Sequence, residues 1–343
     1  MELSAGKVWS MRRMADANGR FKMTAVDQRP PIKNFIKEQR KTDEAPWTDV
    51  AGIKRLFIEE LQNESSAMLL DPHYAYPGGV SVYNPAKGLI LTLEDSNFIE
   101  TAEGRLSAEI DDWSVEKIKR VGGDGVKLLC WYRPDAEPEL CRKQQDFTQR
   151  VGEACAKYDV AFVFELLVYP LLKDEGKAAE LKLRKPDWVV ASVRTFADDK
   201  FGVDVFKLES PMPVEHVPGV GRGEWRQAQQ IFDAVGAAAG RPWVMLSAGA
   251  GKEEFLKIMG HAYEAGASGY LAGRAIWWNA FQHFPDIDRV RTILRDEAVT
   301  YMKTLNHLTD SKALPWHMHD CFNRKGMSFS PADSTFRHRY SAF

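Results

Sequence analysis

Short apolar segments of strand type recur eight times along this chain, and a helical pattern of apolar residues follows each of them. The segments are 21–29, 66–71, 88–95, 125–130, 161–168, 203–209, 242–247 and 269–272. Strands that alternate with helices pair in parallel, because each helix returns the chain to the same end of the sheet. Eight repeats without a sharp change in composition favour a closed barrel over a doubly wound sheet. We therefore expect an α/β fold, specifically a (β/α)8 TIM barrel.

The expected barrel spans residues 20–300 and belongs to a single domain that covers 1–343, because no linker-like stretch divides the chain. A short helix precedes the first strand, and we expect it to close the bottom of the barrel. Residues 301–343 follow as a C-terminal helical extension of unknown role.

The pattern between and beyond the strands gives four local expectations. Pro30-Pro31 cannot supply ladder hydrogen bonds, so the first strand stops there and a helix follows from about Ile32. A long polar loop is expected up to Asp111, and a helix is expected over 187–201. A second, longer helix is expected from Phe284 to about His307.

The charge balance excludes a strong overall field. The chain has 46 Lys and Arg residues against 48 Asp and Glu residues, a net charge of -2, so neither nucleic acid nor a membrane is an expected partner. Its four cysteines form no CxxC motif, no apolar run reaches the ~18 residues of a membrane-spanning helix, and the first residues lack a signal-peptide pattern. We expect a cytoplasmic protein, and a homo-oligomer is left open.

Three of the apolar segments contain a charged residue where a buried strand would normally have none. The residues are Lys127, Glu165 and Lys207. Consecutive strands lie ~4.8 Å apart, so the three side chains can meet if all point into the barrel. A lysine attacks a carbonyl only when unprotonated, and partial burial and a second cation, here Lys127, both favour that state. With Glu165 as the proton carrier, the set has the equipment for Schiff-base formation and aldol chemistry.

Other polar side chains stand at or near the ends of the strands, where this barrel carries its functional sites. They are Asp27, Gln28, Arg29, Asp71, Glu94, Glu209, Ser247 and Arg274. A second interpretation also fits the charged strand residues. In it, Lys127, Glu165, Lys207 and Glu209 form a buried ion network that only holds the barrel together.

Small residues follow the last two strands, as Ser247-Ala248-Gly249 and Gly273-Arg274. The loops after these strands are the usual phosphate site of the barrel, where backbone N–H groups, a helix N-terminus and an arginine face the anion. The alternative is that the glycines only allow tight turns. A small phosphorylated partner is the expectation that follows from the first interpretation.

Metal chemistry has weak support in the sequence. His317-Met318-His319-Asp320-Cys321 has side chains that can bind a metal, but it lacks companion ligands at zinc-finger or zincin spacing. Trp277-Trp278 is expected to pack in the core rather than to bind a ring. We therefore expect no metal and no other cofactor.

At these residues the chain resembles the class I tagatose-1,6-bisphosphate aldolases and the wider group of bacterial Schiff-base ketose-phosphate aldolases. The resemblance covers about residues 20–300, and the order and spacing of its segments make it specific. The segments are Val26-Asp27-Gln28-Arg29, Leu69-Leu70-Asp71-Pro72, Gly125-Val126-Lys127, Phe164-Glu165-Leu166-Leu167, Asp204-Val205-Phe206-Lys207-Leu208-Glu209, Leu246-Ser247-Ala248-Gly249 and Ala272-Gly273-Arg274-Ala275.

The resemblance implies a role for each matching residue. Lys207 would be the Schiff-base lysine, Glu165 the acid and base, and Lys127 the neighbouring amine. Asp27 and Arg29 would face the hydroxyls of the substrate or its far end. The phosphate on carbon one would be held by Gln28, Ser247, Gly273 and Arg274, with Gly249 in the same loop.

The implied reaction is reversible cleavage of a ketose 1-phosphate, best matched by tagatose 1,6-bisphosphate, to dihydroxyacetone phosphate and glyceraldehyde 3-phosphate. The chain departs from the family at Pro30-Pro31, where the family usually has a glycine after Asp-Gln-Arg. One alternative is therefore an aldolase for a sulfonated or otherwise modified sugar phosphate, such as 6-deoxy-6-sulfofructose 1-phosphate. Another is a regulatory protein that binds a sugar phosphate without turnover.

Overall fold

Eight parallel strands close into a barrel in the computed structural model, which describes residues 2–323 and 334–340. The strands are β1 (Phe21–Ala25), β2 (Ala67–Leu70), β3 (Gly88–Thr92), β4 (Gly125–Trp131), β5 (Ala161–Leu167), β6 (Val205–Leu208), β7 (Trp243–Met245) and β8 (Gly269–Ala272). They follow one another in chain order around the barrel, and β1 pairs with both β2 and β8. The (β/α)8 barrel expected from the sequence is confirmed.

Helices surround the barrel and fill the connections between its strands. They are α1 (Ala5–Met14), α2 (Pro30–Arg40), α3 (Trp47–Leu61), α4 (Ala75–Gly79), α5 (Val115–Arg120), α6 (Pro138–Lys157), α7 (Ala178–Phe196), α8 (Trp225–Ala239), α9 (Lys252–Glu264), α10 (Arg274–Phe281), α11 (Ile287–Ile293), α12 (Val299–Lys312) and α13 (Asp320–Asn323). Within the described parts of the chain, none of the helices is long and apolar enough to cross a membrane.

Local sequence signals set several helix ends. Glu137 accepts a hydrogen bond from the Leu140 N–H at 2.9 Å, and Pro138 occupies the first turn of α6, where its missing N–H costs nothing. Helix α8 stops at Gly240, whose φ of 59° is the left-handed conformation that glycine adopts without strain.

Alternation along the strands separates an interior core from an outer one. The side chains of Val163, Val205 and Val244 belong to the interior cluster, whereas Phe164 and Phe206 pack against the helices. Period two places the side chain two residues further along each strand on the same side. The interior series of β5 and β6 therefore includes Glu165 and Lys207, respectively, toward the carboxyl end of the barrel.

The opposite end of the barrel is closed by α1, as the sequence predicts. Met11 and Met14 join the interior cluster, and Gly88 and Gly125, the first residues of β3 and β4, lie directly against Arg13 and Met14. The buried ammonium of Lys7 lies 2.7 Å from Asp204, just before β6. Helix α1 thus acts as a plug at the bottom of the barrel.

Two local expectations were wrong. The segment expected as a polar loop up to Asp111 contains a hairpin of two antiparallel strands, Ile99–Thr101 and Gly104–Leu106, which we call the rim hairpin. Both strands are short and mostly not buried, so no apolar run marks them in the sequence. Helix α7 covers 178–196 instead of 187–201, and its early turns are solvent-exposed, so they carry no apolar stripe.

The C-terminal part is largely helical. The helix expected over Phe284–His307 is present as α11, a π-helical segment (Leu294–Ala298) and α12, which follow one another without interruption. Near the other end of the chain, helix α2 begins at Pro30, two residues before the expected start at about Ile32. Of the extension at 301–343, residues 324–333 and 341–343 lie outside the described residues. Before them the chain returns to the bottom of the barrel.

Candidate active site

Three charged strand residues meet inside the barrel at its carboxyl end. Glu165 Oε2 lies 2.8 Å from Lys207 Nζ and 2.9 Å from Lys127 Nζ. The register aligns Glu165 with Lys207 across β5 and β6, and all three side chains are buried. The sequence-based expectation that these residues share one space is therefore met by the geometry.

Lys127 also contacts two further carboxylates. Its Nζ lies 3.1 Å from Asp27 Oδ2 and donates a hydrogen bond to Glu94, whose other oxygen accepts from the Leu129 N–H at 3.1 Å. Burial alone would lower the pKa of Lys127, but the charges of Asp27, Glu165 and Glu94 outweigh it and raise this pKa. Lys127 is thus a persistent ammonium, and three carboxylates offset its charge.

The pKa values of Glu165 and Asp27 are lowered, whereas that of Lys127 is raised. Burial would raise the pKa of Glu165, but the neighbouring charges of Lys127 and Lys207 lower it. For Asp27, burial again acts upward, and the charges of Lys127 and Lys207 bring the pKa below its usual range. Both side chains are therefore ionised at neutral pH and can accept a proton.

A cavity of about 270 Å³ opens above this group. Among the described residues, those that line it include Gln28, Trp131, Glu165, Leu167, Val168, Lys207, Glu209, Ser247, Gly273 and Arg274. Lys127 is not one of them. The cavity is therefore reached by the amine of Lys207 and the carboxylate of Glu165, while Lys127 lies behind them.

The loops after β7 and β8 form the basic side of the cavity. Gly273 caps α10, and a Cβ atom there would lie 2.6 Å from the Ala25 carbonyl oxygen and 2.7 Å from Gln28 Nε2. Gly249 has a φ of 84° and packs beneath the guanidinium of Arg274. Within the described chain, no carboxylate forms an ion pair with Arg274. Its donors and the first N–H groups of α10 can bind an anion.

Several polar atoms around the loop after β1 are buried without a hydrogen-bond partner in the described protein. They include Nε and Nη1 of Arg29, Oδ1 of Asp27 and Oε1 of Gln28. The remaining guanidinium nitrogen of Arg29 donates to the Glu94 carbonyl oxygen at 2.9 Å. Donors and acceptors left in this arrangement suit a polar ligand that carries hydroxyl groups.

Two other sequence-predicted residues form ion pairs with lysines on the surrounding helices. Asp71 is not among the cavity-lining residues, since it pairs with the buried Lys54 and accepts the N–H of Tyr74 at 2.8 Å. Glu209 lines the cavity, but its oxygens contact Lys185 at 2.7 Å and the Val168 N–H at 2.7 Å. Burial raises the pKa of Glu209, although the charge of Lys185 opposes this.

Sequence reasoning missed Trp131 and Leu167, which are aligned across β4 and β5 and form the wall opposite Arg274. Period-two alternation from Lys127 would have placed Trp131 on the interior side. It also missed Lys54 and Lys185, which lie on helices, where no strand pattern points to the site. The segment at 317–321, which has side chains that can bind a metal, lies at the bottom of the barrel, away from this cavity. There His319 Nε2 is 2.9 Å from Ser268 Oγ.

Fold and site together define a class of enzyme. Residues 21–279 match the family described as DeoC/LacD family aldolase, so the chain belongs to that family and is a lyase of the aldolase type. Among curated proteins, it is 31% identical to "Tagatose 1,6-diphosphate aldolase" of Streptococcus pneumoniae, over 92% of this chain and 99% of the relative. It is 32% identical to "Tagatose 1,6-diphosphate aldolase 2" of Streptococcus agalactiae, with the same coverage of both chains.

Solved structures share the fold at lower identity. An archaeal fructose 1,6-bisphosphate aldolase aligns with a TM-score of 0.58 and 18% identity, over 89% of this chain and 99% of that one. A fructose-bisphosphate aldolase from Plasmodium falciparum aligns with a TM-score of 0.62 and 12% identity, over 91% and 97%. At these identities the comparison supports the barrel and nothing finer.

Proposed function

We propose that this aldolase reversibly cleaves a ketose 1-phosphate through an imine on Lys207, with tagatose 1,6-bisphosphate as the first substrate to test. The observation that carries the proposal is the position of Glu165 Oε2, in contact with both amines at the base of the cavity. The names of the curated relatives support the choice of sugar. The products would be dihydroxyacetone phosphate and glyceraldehyde 3-phosphate.

The position of the two lysines assigns them different roles. Lys207 reaches the cavity, whereas Lys127 lies behind it and its raised pKa keeps it protonated. Glu165 accepts a proton from Lys207, whose amine then attacks carbon two of the ketose. The carbinolamine loses its hydroxyl as water, with the proton returned by Glu165, and a protonated imine remains.

The imine then accepts the electrons of the bond that breaks. Glu165 takes the proton of the hydroxyl on carbon four, the bond between carbons three and four breaks, and its electron pair forms an enamine on Lys207. The aldehyde leaves. Protonation of carbon three and hydrolysis of the imine release dihydroxyacetone phosphate and restore Lys207. Lys127 contributes by keeping Glu165 ionised between these steps.

Binding of the substrate is divided between the cavity and the adjoining loop after β1, whose Asp27 and Arg29 are not among the cavity-lining residues. Arg274, Ser247 and the N-terminus of α10 would hold the phosphate on carbon one, next to Gln28 and Gly273. Asp27 and Arg29 would hydrogen-bond to the hydroxyls, through the buried polar atoms that have no partner in the described chain. The reaction as proposed needs neither a metal nor another cofactor.

The test is release of dihydroxyacetone phosphate, followed with a coupled reductase, from ketose 1-phosphates that differ only at carbon six. We expect turnover by the wild type and a loss of at least about 1,000-fold in Lys207→Ala, because the covalent intermediate cannot form. Turnover of a 6-sulfonated substrate but not of the bisphosphate would select that alternative. Tight binding of every substrate without turnover would contradict the proposal and favour a regulatory protein.

A further inference from the structure

We propose that Arg105, on the rim hairpin between β3 and β4, binds the anionic group at the far end of the substrate, a phosphate or a sulfonate on carbon six. This inference rests on the proposed ketose 1-phosphate substrate. It assigns a specificity-determining role to a residue that the sequence did not single out.

The rim hairpin is fixed to β4, the neighbour of the strand that carries Glu165. Directly after it, Ser107 Oγ donates to the Leu129 carbonyl oxygen at 2.9 Å. Leu129 is aligned with Glu165 across β4 and β5. The hairpin therefore rises from the layer of the barrel that contains Glu165, on the side of β4.

Three aromatic rings hold the guanidinium of Arg105 in place. Its central carbon lies 4.2 Å from the ring centre of Phe98, 4.8 Å from that of Trp131 and 5.0 Å from that of Tyr169. The backbone N–H of Arg105 also donates to the Tyr169 hydroxyl at 2.8 Å, which fixes the main chain beside the rings. Trp131 lines the cavity, so the guanidinium contacts a ring of the cavity wall, although Arg105 itself is not among the residues that line the cavity.

The charge of Arg105 is poorly matched by the protein. In residues 2–323 and 334–340, its one ion pair is with Glu100, at 3.6 Å, and the Glu100 side chain is 68% exposed. Such a surface pair contributes little energy. The guanidinium has donors in a rigid fork, and stacked rings limit its access to water, which favours two hydrogen bonds to one anion.

The direction of the substrate leads from Lys207 toward this arginine. The strand order places β4 opposite β8 in the closed barrel. With the phosphate on carbon one at the start of α10 after β8, and carbon two bonded to Lys207, the rest of the sugar extends toward the wall formed by Trp131 and Leu167. Carbon six then lies at the rim, where Arg105 supplies the positive charge.

The test compares substrates with and without an anion on carbon six: tagatose 1,6-bisphosphate, its 6-sulfonated analogue and tagatose 1-phosphate. In Arg105→Met we expect KM for the preferred anionic substrate to rise about 10- to 100-fold, the loss expected for a charge-assisted pair of hydrogen bonds. KM for tagatose 1-phosphate should change less than about threefold, because it lacks the group that Arg105 contacts. Arg105→Lys should show an intermediate effect.

Thr101→Val is the matched control. The Thr101 hydroxyl donates to the Gly104 carbonyl oxygen at 2.9 Å, so its loss loosens the hairpin turn and leaves the charge in place. We expect normal discrimination between the substrates in this variant. An equal effect of Arg105→Met on all substrates, or the same loss of discrimination in Thr101→Val, would overturn the role of Arg105 and leave the aldolase proposal intact. No turnover of any of the substrates by the wild type would overturn both.

Discussion

At the scale of single residues, the candidate active site is organised around one carboxylate oxygen that two lysine side chains contact. Glu165 Oε2 contacts Lys207 on the cavity side and Lys127 behind it. The sequence could predict this meeting, because neighbouring strands of a barrel bring inward side chains together. It could not predict that Glu94 would reach Lys127, because Glu94 lies beyond the end of β3, where strand geometry no longer fixes its direction.

Lys127→Met tests how Glu165 stays ionised. The pKa of Glu165 lies below its usual 4.5. Burial raises this pKa, but the charges of Lys127 and Lys207 lower it by more. A carboxylate with a lowered pKa stays ionised as the pH falls, so its protonation limits wild-type kcat/KM only below about pH 4.5. Without the ammonium we expect this acid limb to move up by at least about one pH unit.

The measurement is the pH profile of kcat/KM for both proteins. Lys185→Met is the control, because Lys185 pairs with Glu209, another carboxylate that lines the cavity, and not with Glu165. Its acid limb should stay in place. An unchanged limb in Lys127→Met would show that Lys127 does not set the protonation of Glu165.

At the scale of secondary-structure elements, the junction between β8 and α10 links the fold to the proposed phosphate site. Trp277 on α10 donates its indole N–H to the Ala25 carbonyl oxygen at 2.9 Å, so the helix is tied to the end of β1. Gly273 lies directly against the same Ala25 carbonyl oxygen, and the Gln28 side chain packs against Gly273. The sequence predicted the glycine and the arginine, but the reason for the glycine, a close approach of two loops, required the structure.

Gly273→Ala tests this junction. The added methyl would lie 2.6 Å from the Ala25 carbonyl oxygen and must displace backbone. We expect KM for the ketose 1-phosphate to rise at least about tenfold with a smaller change in kcat, since the phosphate contacts move and Lys207 does not. Gly52→Ala on α3 is the control, because no atom lies within 4 Å of its added methyl. Equal KM values for both variants would contradict a role for the junction.

The elements that the sequence missed have a common physical cause. The strands of the rim hairpin have three residues each, and the first turns of α7 expose residues such as Leu183, which is 81% exposed. Periodicity reports burial against a core, so an element that buries little leaves no periodic signal. The barrel strands were predictable for the opposite reason, because almost all of their residues are buried, whichever face they are on.

At the scale of the whole molecule, the bottom of the barrel is closed by α1 together with the segment after α12 that contains Trp316 and Phe322. Trp316 and Phe322 join the interior cluster with α1, and the Trp316 N–H donates to the Gly19 carbonyl oxygen at 2.8 Å. The sequence predicted the helix at the N-terminus, whose place before the first strand fixes its position. The place of the C-terminal extension could not be predicted from the sequence, because its contacts depend on the direction that the chain takes after α12.

We expect His319 to make the stability of this closure depend on pH. Burial lowers its pKa from 6.5 to about 4. Between these values the unfolded chain binds more protons than the folded one, so stability is present above pH 6.5 and is lost as the pH falls. We expect the free energy of unfolding to fall by about 2 kcal/mol from pH 7 to pH 5 because of the titration of His319.

Chemical denaturation at the two pH values measures this difference. His319→Gln keeps a polar group near Ser268 Oγ, which His319 contacts at 2.9 Å, but it does not titrate. The pH-dependent loss should therefore be about 2 kcal/mol smaller in the variant. The same loss in both proteins would mean that other groups control the acid sensitivity.

The central claim is that Lys207 forms the imine, and borohydride trapping tests it most directly. The protein is reduced in the presence of dihydroxyacetone phosphate and digested, and the peptides are analysed by mass spectrometry. We predict a stable adduct on Lys207 in the wild type and no adduct in Lys207→Ala, while Lys127 stays unmodified. An adduct on Lys127, or no adduct at all, would contradict the account.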